Sequence, residues 1–269
     1  MKVLFLDAYN LIYRAKSGFM KGDNPVIFNF FRGIRPLVEM FDPDLVYFVL
    51  EGRPAFREHL SEGQYKANRS NNDQNFHRQK AAIINIVKAC MPFKTVRHPE
   101  FECDDTIATL SVKHAKEGDE CTIISSDSDF IQLLNFTDLK ISLYNPVKKK
   151  HISVPDYDYV TWKALRGDPT DNISGIKGIG DKTATKIVKN HDMMVDLLKN
   201  DEKRAVFERN VNLIRLVDFS DGIEDMECHI GKKDFDELRS IFEKLEFSLM
   251  LKESTWEKYK KTFERVRCI

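Results

Sequence analysis

The chain has no surplus of charge. Its 42 lysines and arginines balance 42 aspartates and glutamates, so net charge says nothing about a nucleic-acid partner and any electrostatic argument must be local. Cysteine is sparse and unpaired in pattern: Cys90, Cys103, Cys121, Cys228 and Cys268 are odd in number, scattered, and never in a C-x-x-C pair. That argues against a structural zinc site and favours a reducing compartment. The seven histidines show no H-x-x-x-H spacing. No apolar run approaches the ~18 residues of a membrane span, and the start lacks a basic region followed by a long apolar stretch. An intracellular protein with no membrane partner is expected. Internal repeats and low-complexity segments are absent too. What remains is 269 residues with 42% hydrophobic and 31% charged content, enough for one large domain or one domain with a smaller appendage.

Short apolar runs punctuate the first half. Val3–Leu6 ends at Asp7, Leu45–Leu50 ends at Glu51, and Thr122–Ser125 ends just before Asp127 and Asp129. Runs of this kind read as buried parallel strands. Two further strands are expected over Phe93–Val96 and Leu139–Tyr144. Between them lie helical patterns, notably Ile27, Phe30, Ile34, Leu37 and Phe41, closed by Asp42-Pro43, and a helix starting near Asp104 and closed by Gly118. Alternation of this kind predicts an α/β fold with a parallel sheet covered by helices on both faces. After Pro155 the strand signal vanishes and amphipathic helices take over. The expected division is 1–155 and 156–269, the second part being smaller and helical.

Nine acids form a set that ordinary surface charge would not produce: Asp7, Glu51, Glu102, Asp104, Asp105, Asp127, Asp129, Asp168 and Asp171. Asp7, Glu51 and the Asp127/Asp129 pair follow three predicted strands. Glu102, Asp104 and Asp105 stand at the N-terminal edge of a helix, and Asp168 and Asp171 just past the end of another. In an open α/β sheet, ligands bind in the crevice at the carboxyl ends of the strands. Carboxylates gathered there repel one another unless a cation lies between them, and hard divalent ions such as Mg²⁺ or Mn²⁺ take oxygen ligands. The set could hold two ions ~4 Å apart, one readying a water for attack on a phosphodiester and the other stabilising the leaving oxygen. Acids near helix N-termini also complement the macrodipole, and that alone would account for Asp105. Capping does not explain acids at three strand ends.

Two further stretches suit phosphates. Gly175-Ile-Lys177-Gly178-Ile-Gly180-Asp-Lys182 permits a tight turn between two helices, with backbone N–H groups and the next helix N-terminus open to a phosphate. Its spacing and its position after a helix are not those of a dinucleotide-binding fingerprint. From Arg53 to Lys80 the apolar pattern lapses. Arg53, Arg57, His59, Lys66, Arg69, Arg78 and Lys80 interleave there with Phe56, Tyr65 and Phe76. Cations for phosphates and aromatics for bases are the elements of a single-strand binding surface.

With these motifs in hand, the chain resembles the 5′ nuclease (flap endonuclease) family over nearly its whole length. The matching motifs are Leu6-Asp7-Ala8, Tyr65-Lys66-x-x-Arg69, Glu102-x-Asp104-Asp105, Ser126-Asp127-x-Asp129, and Gly167-Asp168-x-x-Asp171-Asn172 running into 175–184. The resemblance implies a PIN-like nuclease core and an arch over about 53–80. It also implies a helix–three-turn–helix element, of helix-hairpin-helix type, around the glycine hairpin. Asp7, Glu51, Glu102 and Asp104 would form a first metal group, and Asp127, Asp129, Asp168 and Asp171 a second, with Asp105 between or behind. Lys66 would stabilise the scissile phosphate, Tyr65 would stack on or steer the substrate, and Arg69 would contact phosphate. Gly175, Lys177, Gly178, Gly180 and Lys182 would grip duplex DNA, in this family often with a bound K⁺. One departure stands out: the family usually carries Asp where this chain has Glu51.

The expected activity is therefore 5′→3′ exonuclease and 5′-flap endonuclease hydrolysis of branched or 5′-ended DNA, with RNA–DNA hybrids as further substrates. The enzyme would act as a monomer in replication or repair. No sliding-clamp tail motif is seen and no polymerase domain follows, which points to a phage or accessory bacterial enzyme in the cytoplasm of a bacterial cell or phage-infected host. A PIN-type ribonuclease and a catalytically silent branched-DNA binder remain as alternatives.

Overall fold

The computed structural model describes residues 1–20, 22–68 and 73–269. Its centre is a sheet made from β1 (Lys2–Asp7), β2 (Leu45–Val49), β3 (Lys94–Arg97), β4 (Glu120–Ile124), β5 (Ile141–Asn145) and β6 (Lys150–His151). Two-residue strands β7 (Gly167–Asp168) and β8 (Ile173–Ser174) pair separately, and β9 (Glu227–Ile230) returns to the main sheet. The order is β6-β5-β4-β1-β2-β3-β9, with β1 to β5 parallel and the two edges antiparallel. The apolar runs become strands because both faces of the sheet are covered: all five residues of β2 are buried.

The chain builds outward from β1 through β2 to β3, then crosses back to lay β4 on the other side of β1. The reversal makes the carboxyl ends of β1 and β4 a topological switch point, where a crevice opens. One face is packed by the helices Ala8–Lys16, Pro25–Phe41 and Gln74–Cys90, through Leu11, Phe30, Phe31, Ile83 and Val87. The Pro25–Phe41 helix starts on a proline in its first turn and ends at Asp42, which adopts the left-handed conformation (φ 43°). The other face is packed by Cys103–Lys116 and a 3₁₀ turn over Asp129–Asn135, through Ile107, Leu110, Phe130 and Leu133.

Helices Tyr159–Arg166, Asp181–Val188 and Asp201–Ile214 form smaller apolar clusters of their own beside the crevice. The sequence predicted no strand after Pro155, and here the structure differs. β9 pairs with β3, Lys94 opposite Ile230, and all four of its residues are exposed. An exposed edge strand carries no apolar alternation, so no signal announces it. Helices Phe235–Lys244 and Glu253–Glu264 then lay Phe242, Trp256, Tyr259 and Phe263 into the core of the main sheet rather than among the preceding helices. Among the described residues, no helix is long and apolar enough to cross a membrane.

Candidate active site

Strand ends deliver the first acids. Asp7 closes β1 and caps the next helix, accepting from Asn10 N at 3.0 Å, while Ser125 Oγ at the end of β4 donates to it at 2.7 Å. Glu51 follows β2, and Asp104 enters from the first turn of Cys103–Lys116. Asp127 follows β4 and accepts from the backbone of Asp129 at 2.8 Å. Asp7, Glu51, Asp104, Asp127, Asp168 and Asp171 all line one cleft of about 780 Å³.

Glu102 and Asp105 are placed differently. Together they cap their helix reciprocally as a capping box. Glu102 is 2% exposed and accepts from Lys66 Nζ (2.5 Å), Tyr65 Oη (2.9 Å) and Arg57 Nη1 (3.0 Å). Asp105 is fully buried, and both its oxygens are taken by the Arg57 guanidinium at 2.5 and 2.7 Å, one of them also by Val217 N. It faces Arg57, behind Glu102, and does not line the cleft. Arg57 is itself 4% exposed and donates further to the carbonyls of Leu213 and Arg215. The sequence set Arg57 among the phosphate-binding cations. It is instead the buried tie between the Ala55–Leu60 helix, Cys103–Lys116 and the end of Asp201–Ile214.

The second group converges tightly. One oxygen from each of Asp129, Asp168 and Asp171 lies within 4.8 Å of the others, and all three residues are buried. The Lys163 ammonium bridges Asp129 and Asp168, 2.6 Å from the latter. Across the cleft, Lys66 Nζ is 3.9 Å from Asp171, whose carboxylate also accepts from Tyr65 Oη at 3.3 Å. Lys66 therefore stands between the two groups. The Tyr65 hydroxyl is tied to both acids, and Arg69 lies outside the described residues.

Burial dominates the electrostatics. It pushes Asp7 up to about 6 and, against the pull of Lys66, Glu51 to about 7. Burial also raises Asp129 to about 7 despite Lys163, and Asp104 well above the carboxylate range, with the Asp127 and Asp7 charges adding to it. At Asp168 burial is outweighed by Lys163 and Thr170, which hold it low. Burial works against the charge on Lys66 and Lys163, but neighbouring carboxylates more than offset it and hold both up. The acids facing the cleft offer carboxylate oxygens, and the raised proton affinity of Asp7, Glu51 and Asp104 marks a shortage of positive charge around them. That chemistry fits hard divalent cations.

The hairpin glycines divide into two kinds. A Cβ on Gly175 would lie 2.1 Å from Arg166 O, and one on Gly167 would lie 2.3 Å from Gly175 N, so these two permit backbone contact inside the fold. Gly178 (φ +85°) meets nothing, nor does Gly180, and with Lys177 and Lys182 both are exposed. In the predicted single-strand surface, Phe76 is 2% exposed and belongs to the core, whereas Phe56 is half exposed.

Sequence reasoning missed Lys163, Ser125 and Asn10, and it gave no sign of the buried role of Arg57. Lys163 had a signal: it falls on the stripe of Val160 and Ala164 in an amphipathic helix, where a cation needs an acid. Arg57 had none, because the stretch around it lacks periodicity.

The comparisons with known proteins agree with this geometry. The family model of the 5′–3′ exonuclease N-terminal resolvase-like domain matches residues 2–163. The chain belongs to the 5′–3′ exonuclease family. The model of that family's C-terminal SAM fold matches residues 154–218. A 5′–3′ exonuclease of Aquifex aeolicus is 28% identical, covering 94% of this chain and 95% of its own. Thermostable DNA polymerase I of Thermus thermophilus is 30% identical over 94% of this chain but 33% of its own, so the chain spans about a third of such polymerases. The bacteriophage T5 flap endonuclease, solved as a pseudo-enzyme–product complex with DNA and metal ions, shares the fold. Its TM-score is 0.64 at 20% identity, covering 98% of this chain and 99% of its own. The expected family and the expected α/β core with its helical extension are thus both found.

Proposed function

We propose that this chain is a divalent-cation-dependent 5′ nuclease that hydrolyses phosphodiesters in 5′-ended and 5′-flap DNA. The observation that carries the reading is the convergence of two carboxylate groups on one cleft, with Lys66 between them. Asp7, Glu51, Asp104 and Glu102 would hold one ion, and Asp127, Asp129, Asp168 and Asp171 the other, with Asp105 holding Arg57 behind them. Held by these residues, two such ions, Mg²⁺ or Mn²⁺, would supply Lewis-acid chemistry that readies a water and offsets charge on the leaving oxygen. The chain's own groups do the rest. Ser125 and Asn10 N fix the Asp7 carboxylate. Arg57 and Tyr65 fix Glu102, which in turn holds the Lys66 ammonium. From there Lys66 can reach a non-bridging oxygen of the scissile phosphate, and the carboxylates around it keep it charged.

The exposed turn at Gly178 and Gly180, with Lys177 and Lys182 beside it, would take the backbone of a duplex as a helix-hairpin-helix element, with K⁺ as an added ligand. The same reading includes RNA–DNA hybrids as substrates, a monomeric cytoplasmic enzyme, Arg69 as a phosphate contact, and a nuclease core to about residue 155 followed by a helical DNA-binding region that also brings Asp168 and Asp171 to the cleft. Its test is cleavage of an end-labelled 5′-flap DNA and a matched single-stranded RNA, each with Mg²⁺ and with EDTA. Mg²⁺-dependent cuts near the flap base with the RNA intact are expected. Cutting of RNA alone would move the chain to the ribonucleases, and tight flap binding without cutting to silent junction binders.

A further inference from the structure

Four cations line the cleft: Lys66, Lys80, Lys163 and Arg166. Three are engaged by acids of the protein itself. Lys66 is on Glu102, Lys163 on Asp129 and Asp168, and Arg166 on Asp181 at 3.1 Å while it stacks over Trp162. Lys80 has no carboxylate partner among the described residues. Its ammonium lies 4.7 Å from the centroid of the Tyr9 ring, and it is held there rather than loose. Tyr9 and Tyr13, four apart on one helix, meet Phe76 and Lys80, four apart on another, with Tyr13 and Phe76 ring centroids 5.0 Å apart. Phe76 is core, and Gln79 beside Lys80 is buried and accepts from Val26 N, so the carrier helix is anchored. The cation–π contact places the Lys80 ammonium over one face of the ring, and its N–H donors have no acid partner among the described residues.

We propose that Lys80, seated on Tyr9, is a substrate-positioning residue that takes a phosphate of the nucleic acid other than the one hydrolysed. The inference rests on the nuclease reading of this cleft. An anionic chain entering a cleft walled by carboxylates meets repulsion on most sides, and a cation not already committed to an acid is the place where a phosphate gains most. The ligand chemistry is a phosphate oxygen. It can come from an internal diester or from a 5′-terminal monophosphate.

The test compares wild type, Lys80→Ala and Lys80→Arg on 5′-flap DNA bearing a 5′-phosphate or a 5′-hydroxyl. Affinity is measured in Ca²⁺ over a range of salt, and single-turnover cleavage in Mg²⁺. Lys80→Ala is expected to weaken binding roughly tenfold and to lower the slope of log K against log salt by about 1. Cleavage at saturating enzyme should change much less, and Lys80→Arg should recover most of the loss. Loss on both ends assigns an internal diester, and loss confined to phosphorylated ends assigns the terminal group. Unchanged affinity and salt slope in Lys80→Ala, while wild type cuts normally, would overturn the inference alone. A wild type that cuts no DNA with Mg²⁺ would remove the nuclease reading and this inference together. An equal loss in Lys80→Arg, accompanied by a lowered melting temperature in both variants, would assign Lys80 to packing and overturn it.

Discussion

The Lys163 ammonium lies 2.6 Å from Asp168 in a site where both side chains are buried. It also reaches Asp129, so one lysine neutralises two of the three carboxylates that converge in the second group. Removing one partner of a buried ion pair leaves charge uncompensated. Lys163→Met should therefore destabilise the cation-free protein by about 3 kcal/mol. Ca²⁺ or Mn²⁺ should restore more stability to the variant than it adds to wild type. Thermal melting with and without the ion measures both effects.

Arg57 makes an independent prediction. Its guanidinium holds Asp105 through two nitrogens and also touches Glu102 and two backbone carbonyls. Arg57→Ala should cost about 3–5 kcal/mol in urea unfolding. Arg57→Lys should recover little of it, because a point charge cannot reproduce the planar fork.

Protonation and cation binding should compete. Asp7 is raised to about 6, and Glu51 and Asp129 to about 7. A carboxyl whose folded pKa lies above its unfolded value binds more protons in the folded state, so its stability contribution is full below about pH 4 and is lost as pH rises through 6 to 7. Asp168 is shifted the other way, and its contribution is lost only on acidification below about pH 4. Between these limits the cation-free protein should melt at lower temperature as pH rises. Mg²⁺ should raise the melting temperature more at about pH 8 than at about pH 5.5. A Mg²⁺ effect independent of pH would contradict the assignment of these carboxyls.

The two kinds of hairpin glycine should separate folding from binding. Gly175→Ala brings a methyl to 2.1 Å from Arg166 O and should destabilise the fold by about 3 kcal/mol. Gly178→Ala faces open space but carries φ +85°, and should cost about 1 kcal/mol. Its main effect should appear in duplex affinity, measured by fluorescence anisotropy against chemical denaturation of the same samples.

How much of this was legible depended on whether a side chain's job follows from its neighbours in sequence. β1, β2 and β4 were readable because strands buried on both faces become apolar runs, and the acids at their ends then stand out. Asp105 shared the motif but not the site. Its place three residues after Glu102 is the reciprocal capping position, which turns the carboxylate back from the cleft to Arg57. β9 was invisible because an exposed edge strand needs no apolar face. The helices Phe235–Lys244 and Glu253–Glu264 were readable as amphipathic, but periodicity does not say which surface a helix covers, and they cover the main sheet.

Asp171 gives the most direct test of the central claim, because it belongs to the converging trio and lies opposite Lys66. The measurement is single-turnover cleavage of a 5′-flap DNA by Asp171→Asn in Mg²⁺, with affinity for the same DNA measured in Ca²⁺. The two-cation account predicts a rate at least ~10²-fold below wild type, with affinity nearly unchanged. A variant that cuts at close to the wild-type rate would contradict it.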